Sequence, residues 1–260
     1  MARIIAITNQ KGGVGKTTTT INLGASLAAT KRRVLLVDMD PQGNATMGSG
    51  VDKYDLETSV FDVLVEGASI ESVMINAEQA GYHIVPANGD LTGVEVHLLE
   101  VEAPHLRLKK ALSAVVDKFD YILLDCPPAL NMLSLNALVA AHSVIIPMQC
   151  EYYALEGLTA LLETIQQVKA THNPSLEIEG VLRTMYDPRN RLATEVSNEL
   201  HEYFGDKVFR TPVPRNVRVA EAPSFGLPVM YHDRLSAGAK AYLALAGELL
   251  RRAEARETTA

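Results

Sequence analysis

The feature that most constrains this chain lies at its start, where a short apolar run, Ile4-Ile5-Ala6-Ile7, leads into Gln10-Lys11-Gly12-Gly13-Val14-Gly15-Lys16-Thr17-Thr18. The segment from Thr17 to Ala29 then has helical spacing and composition. Strand, glycine-rich turn and helix follow in the order a phosphate-binding loop requires. Gly12, Gly13 and Gly15 let backbone N–H groups converge on anionic oxygens, and the helix behind them offers unpaired N-terminal donors and a positive dipole end. Lys16 adds a cation for the β- and γ-phosphates, and the Thr17 hydroxyl suits Mg²⁺. Residues Lys11 to Thr18, Val14 and Thr18 included, are thus the candidate nucleotide cradle. Two residues depart from the ordinary pattern: Gln10 stands where a glycine is usual, and Lys11 is a second lysine that a phosphate loop does not need.

Three further blocks accompany the loop: Asp38-Met39-Asp40-Pro41-Gln42-Gly43-Asn44-Ala45-Thr46, Leu124-Asp125-Cys126-Pro127-Pro128, and Pro214-Arg215-Asn216-Val217-Arg218 followed by Glu221-Ala222-Pro223-Ser224. With these blocks in this order, the chain resembles the deviant Walker A group of ATPases, and in particular the ParA/Soj chromosome-partitioning proteins, over nearly its whole length. That resemblance implies an ATP- and Mg²⁺-dependent hydrolase. It also implies a homodimer when ATP is bound, nonspecific duplex DNA as a ligand, a ParB-like centromere-binding partner, and a cytoplasmic, nucleoid-associated location.

Length and composition agree with the resemblance without demanding it. At 260 residues and 47% hydrophobic content the chain can bury one large core, so residues 1–260 are read as a single ATPase domain. No Pro/Gly/Ser-rich linker, low-complexity tract or internal repeat interrupts it. Neither a signal peptide nor a membrane-spanning run is expected. Cys126 and Cys150 lack the close spacing of a metal pair and read as buried structural thiols.

Apolar runs alternate with helical patterns along the chain. Strands are expected at Val34 to Val37, Tyr82 to Val85, Tyr121 to Leu124, Val144 to Ile146, Ile178 to Leu182 and Val208 to Phe209. Helices are expected at Thr17 to Ala29, Leu106 to Val116, Leu155 to Ala170, Ala193 to Phe204 and Ala237 to Ala253. The predicted fold class is therefore α/β: a P-loop NTPase with a mainly parallel twisted sheet, helices on both faces, and ligands at the carboxyl ends of the strands. Asp38 and Asp125 both fall at such ends.

Asp125 closes the run Tyr-Ile-Leu-Leu and is placed like a Walker B carboxylate that holds Mg²⁺. Asp38 and Asp40 belong to Asp-x-Asp-Pro, which also reads as a turn whose side chains satisfy local backbone donors. The resemblance gives hydrolysis to Asp40, through the attacking water or the metal shell, and a supporting place to Asp38. It assigns the metal to Thr17, Asp40 and Asp125, and catalysis to Lys11, Lys16 and Asp40. Lys11 would reach the partner subunit's nucleotide and stabilise charge there as an arginine finger does, with Gly12 keeping that approach clear. Pro214 and Asn216, in the stretch from Pro212, would border the base.

A formal net charge of −7 argues against a wholly basic nucleic-acid binder, yet Arg183 to Arg218 carries seven basic residues against five acidic ones. A dimer would double this modest island into a weak, salt-sensitive grip on DNA phosphates. By resemblance, Arg189 and Arg218 are the DNA-binding arginines, with Arg191 and Arg215 as neighbours. Without it, the same arginines read as a solvated face. The absence of tryptophan and 5% aromatic content speak against a base-stacking platform for single strands.

Two other classes share the deviant loop. A MinD-like membrane-cycling ATPase would use its C-terminal amphipathic helix as an anchor. Here Tyr242, Leu243, Ala246, Leu249 and Leu250 read better as a helix docked on the core, with no membrane partner expected. A reductase like the nitrogenase iron protein would share an iron–sulfur cluster between subunits, but neither cysteine sits in that family's context and no cluster is expected.

Overall fold

A computed structural model describes residues 2–152 and 154–259, with the backbone alone for 154–156 and 257–259. Apolar runs bounded by polar turns form seven strands: β1 (Arg3–Ile7), β2 (Val34–Asp38), β3 (Ile75–Ala77), β4 (Tyr82–Val85), β5 (Tyr121–Asp125), β6 (Ser143–Gln149) and β7 (Glu177–Thr184). They make one sheet in the order β3-β4-β2-β5-β1-β6-β7, parallel throughout except for β3, which runs antiparallel to β4. The longer helices are α1 (Lys16–Ala29), α2 (Arg107–Ser113), α3 (Met132–Ala140), α4 (Ala154–Thr171), α5 (Arg191–Phe204) and α6 (Ala237–Thr259).

Strand side chains alternate between two cores, as a pleated sheet buried on both faces requires. Ile4, Leu35, Val37, Ile122 and Leu124 enter the core beneath α2 to α5, which contribute Leu112, Leu133, Leu161 and Leu200. Ile5, Ile7, Leu36 and Leu123 enter the opposite core with Leu23 and Leu27 of α1 and Tyr242, Leu245 and Leu249 of α6. The C-terminal helix is therefore a core helix, as its spacing suggests, and it runs on past Ala253 to Thr259. Among the described residues no helix is long and apolar enough to cross a membrane.

The parallel sheet with helices on both faces matches the expected class, and the differences have local causes. Val208 and Phe209 form no strand: a single bridge joins Val208 to Val181. Arg183 Nη2 then donates to the carbonyls of Phe209 (3.0 Å) and Arg210 (3.2 Å), while Pro212 and Pro214 lack the N–H that a continuing ladder needs. Strand β3 is only three residues long, too short for alternation to reveal, and α3 is apolar nearly all round, so it lacks a helical stripe.

Gly180 of β7 marks how tightly this edge is packed. A Cβ there would lie 2.6 Å from the Lys207 carbonyl oxygen and 2.7 Å from Cε2 of the Phe209 ring. Gly180→Ala is expected to lower stability by about 1–3 kcal/mol, measured as a lower urea midpoint with an unchanged slope. An unmoved midpoint would mean that residues 207–209 do not lie against β7 in this way.

Candidate functional site

The site begins with strand register. Ile7 of β1 and Asp38 of β2 both pair with Asp125 of β5, so the glycine-rich loop and two carboxylates meet at one end of the sheet. At this end the chain turns to opposite sides of β1, with β5 on one flank and β6 on the other, and such a switch point opens a crevice.

The loop is anchored from both sides. Asn9 Nδ2 donates to the Pro147 carbonyl (2.8 Å) and its Oδ1 accepts from the Lys11 N–H (3.0 Å). From β7, the Thr184 hydroxyl donates to the Val14 carbonyl (2.7 Å). Gly13 and Gly15 have φ values of 74° and 87°, the left-handed region that lets the loop curl, and Gly15 leads directly into α1. Among the described residues, a Cβ at Gly12 would meet nothing within 4 Å.

Lys16 is buried, and its ammonium donates to the Lys11 carbonyl (3.1 Å). Burial pushes it below the usual lysine range, opposed by negative charge at Asp125 and Asp40 among other groups. Lys11 is half-exposed, and its ammonium pairs with Glu151 at 2.8 Å.

The two strand-end carboxylates are equally buried but differently satisfied. Asp38 Oδ2 accepts from the Thr46 N–H and hydroxyl, both at 2.8 Å, and Oδ1 accepts from the Asp40 N–H (3.1 Å). The turn that Asp-x-Asp-Pro suggests is present, and Asp38 is its internal brace. Asp125 Oδ1 accepts from the Thr20 hydroxyl (2.9 Å), while Oδ2 is buried without a hydrogen-bond partner among the described residues. Burial raises both carboxyls; at Asp125 the neighbouring Asp38 charge pushes further, with the Thr17 and Thr20 hydroxyls acting against it. Asp40 is half-buried, and its Oδ1 accepts from the Gln42 N–H (2.9 Å).

A cavity of about 420 Å³ opens above the loop. Gly12, Gly13, Gly15, Lys16, Thr17, Thr18 and Asp40 line it. Pro214 and Asn216 line the same cavity. Asn216 is held there as the N-cap of the turn Val217–Glu221, accepting from the Val219 N–H (3.3 Å). Arg215 also lines this cavity.

Arg189 and Arg218 each come with local carboxylates. Arg189 makes a two-pronged contact with Asp187 (3.0 and 2.7 Å), which holds that carboxyl down at about 2. Arg218 pairs with Glu221 (2.9 Å) and Asp233 (3.4 Å), and Arg191 with Glu195 (2.8 Å). Cys126 and Cys150 are both buried free thiols, and burial raises each, Cys150 to about 11.

Sequence reasoning missed several participants. Thr184 and Tyr242 line the cavity from distant parts of the chain, and no local motif announces them. Thr20 and Thr46 were legible as residues of quoted or adjacent blocks, but their hydrogen bonds to Asp125 and Asp38 exist only once the strands pair.

Comparison with known proteins agrees with this geometry. Residues 2–178 match the family model described as AAA domain. The chain is 52% identical over 249 residues to the sporulation initiation inhibitor protein Soj of Bacillus subtilis, covering 96% of this chain and 98% of that one. It is 49% identical over 260 residues to the chromosome partitioning protein ParA of Caulobacter vibrioides, covering 99% and 97% respectively. Among solved structures, one titled cobyrinic acid a,c-diamide synthase from Mycobacterium smegmatis, with bound ADP and magnesium, superposes with a TM-score of 0.85 at 38% identity, covering 98% of this chain and 96% of that one. By the loop, the paired strand-end carboxylates and this full-length identity, the chain belongs to the AAA-domain family, within its Soj/ParA group of chromosome-partitioning ATPases.

Proposed function

We propose that residues 1–260 form one ATPase domain that partitions DNA, binding ATP with Mg²⁺ in the cavity above Gly12 to Thr18 and closing into a two-fold dimer around it. The observation that carries this reading is the bare, buried Oδ2 of Asp125 beside the loop and Lys16. A buried carboxylate oxygen without a partner costs roughly 1–3 kcal/mol or more, and a hydrated cation would satisfy it. Among the described residues no group of three or more His, Cys, Asp or Glu side chains could cage a metal alone. That suits Mg²⁺, which prefers one or two carboxylates, water and substrate phosphates. Thr17, Asp125 and Asp40 would hold it, and it would supply neutralisation of phosphate charge.

The chain's own residues divide the remaining work. Loop N–H groups and Lys16 bind phosphate, and Pro214 and Asn216 border the base. Asp40 keeps Oδ2 free of any hydrogen bond among the described residues, so it can orient the attacking water. Lys11 would leave Glu151 and reach the partner's nucleotide. That exposed pair is worth about 0–1 kcal/mol, so releasing it is no barrier to dimerisation.

Dimerisation would bring two copies of Arg189 and Arg218 to duplex DNA. Since each arginine already has a carboxylate, phosphates must compete with that carboxylate. Binding by one subunit is then weak and doubling decisive. A ParB-like partner would stimulate hydrolysis and release the DNA. The buried face of α6 supports this reading over membrane cycling, since Tyr242, Leu245 and Leu249 are committed to the core.

The testing experiment is duplex-DNA binding with no nucleotide, ADP, or ATP and Mg²⁺, at low and physiological salt. Binding is expected only with ATP and weakens with salt; no binding despite confirmed ATP uptake would remove DNA as the ligand. Lys16→Ala is expected to abolish the ATP-dependent dimer in sedimentation, and an intact dimer would move the phosphate site elsewhere. In Asp40→Ala, ATP binding and the dimer should persist while turnover falls at least about 100-fold; normal turnover would relocate the catalytic role. Arg189→Ala with Arg218→Ala should keep the dimer and weaken DNA binding. The slope of log affinity against log salt should become shallower by about 1 for each arginine that meets a phosphate.

A further inference from the structure

Away from the nucleotide cavity, α4 and α5 leave between them a groove of about 670 Å³. Its floor is apolar: Leu158 and Leu200 are buried in the core, and Leu162 and Phe204 are half-buried beside them. Its rim is acidic, with Glu163 on α4 and Glu199 and Glu202 on α5, and no lysine or arginine lines it. None of these three carboxylates has an ion-pair partner among the described residues, whereas Glu195, one turn earlier on α5, is paired with Arg191. Tyr203 stands at the edge with 74% of its surface exposed, its ring 4.7 Å from that of Phe204 in an edge-on contact.

A solvated helix face ordinarily mixes its charges and does not leave an apolar trough behind them. Here three like charges line an apolar trough of about 670 Å³. Such a surface attracts positive charge and rewards burial of apolar area, the two properties that a basic amphipathic helix supplies together. We propose that this groove is a docking surface for a basic amphipathic helix of a partner protein. The partner's apolar side chains lie on Leu158, Leu162, Leu200 and Phe204, and its lysine or arginine groups meet Glu163, Glu199 and Glu202. Tyr203 offers its ring face to one of those cations. No groove residue lines the nucleotide cavity, so the proposal stands independently of the nucleotide chemistry and can be tested with that chemistry intact.

The probe is a fluorescein-labelled helical peptide of lysine and leucine at amphipathic spacing, about fourteen residues or roughly 21 Å long. Its counterpart replaces every lysine with glutamate. Anisotropy titrations use the full chain, the double variant Glu163→Lys with Glu199→Lys, and the control Glu78→Lys with Glu100→Lys, which makes the same charge change at exposed sites elsewhere. The lysine peptide is expected to bind the wild type and the control alike, and the groove variant at least about tenfold more weakly. The glutamate peptide should not bind. Tyr203→Ala, which removes no charge, should weaken binding too, and ATP binding by every variant confirms its fold. Equal binding by groove variant and wild type would overturn the proposal, as would equal losses in both double variants, which would mean attraction to an acidic protein at large. Nucleotide-free self-association that vanishes in the groove variant would overturn it in favour of a second copy as occupant.

Discussion

Everything at the candidate site depends on two fully buried carboxylates lying side by side. Parallel pairing of β2 with β5 sets Asp38 opposite Asp125, and pairing of β1 with β5 sets the root of the glycine-rich loop beside them. Two such charges in one apolar place repel each other and lose hydration, and burial raises both carboxyls. The fold resolves this unequally. Asp38 receives three donors, two from Thr46 and one from the Asp40 backbone, and so spends its charge on bracing the segment that presents Asp40. Asp125 keeps one oxygen bare and faces the positive field of Lys16. One carboxylate is structural and the other chemically available because of their neighbours, although both are strand-end aspartates.

The two lysines of the loop show the same division by environment. Lys16 is buried and tied to the Lys11 carbonyl, so its charge is focused on the cavity where little water screens it. The Lys11 ammonium makes an exposed contact with Glu151, which solvent and salt weaken. Of the two, the Lys16 charge is fixed inside its own chain and the Lys11 charge is easy to move. The acidic groove on α4 and α5 sets a third pattern, unpaired carboxylates around apolar side chains, on a surface separate from both.

Local order was legible wherever consecutive residues carried the signal. The strand, loop and helix from Ile4 to Ala29 stand where spacing puts them. Val208 and Phe209 misled because β-branched and aromatic residues fit a strand, whereas the Arg183 guanidinium and two prolines consume the backbone pairing that a strand needs. Arg215 reads as one more arginine of a basic stretch, yet its place on the cavity wall follows from the turn capped by Asn216.

By itself, the sequence determined the parallel α/β class, the phosphate-type loop and the identities of the acidic and basic groups, because periodicity and turn chemistry act between residues a few positions apart. Tertiary structure alone decided that Asp38 is satisfied and Asp125 is not, and that Thr184 and Tyr242 join the cavity. It alone also decided that Arg218 meets Asp233 as well as its near neighbour Glu221, and that α4 and α5 leave an acidic groove. Charge state, hydrogen-bond satisfaction and exposure are properties of neighbours in space, and those neighbours are assembled only when distant strands and helices pack.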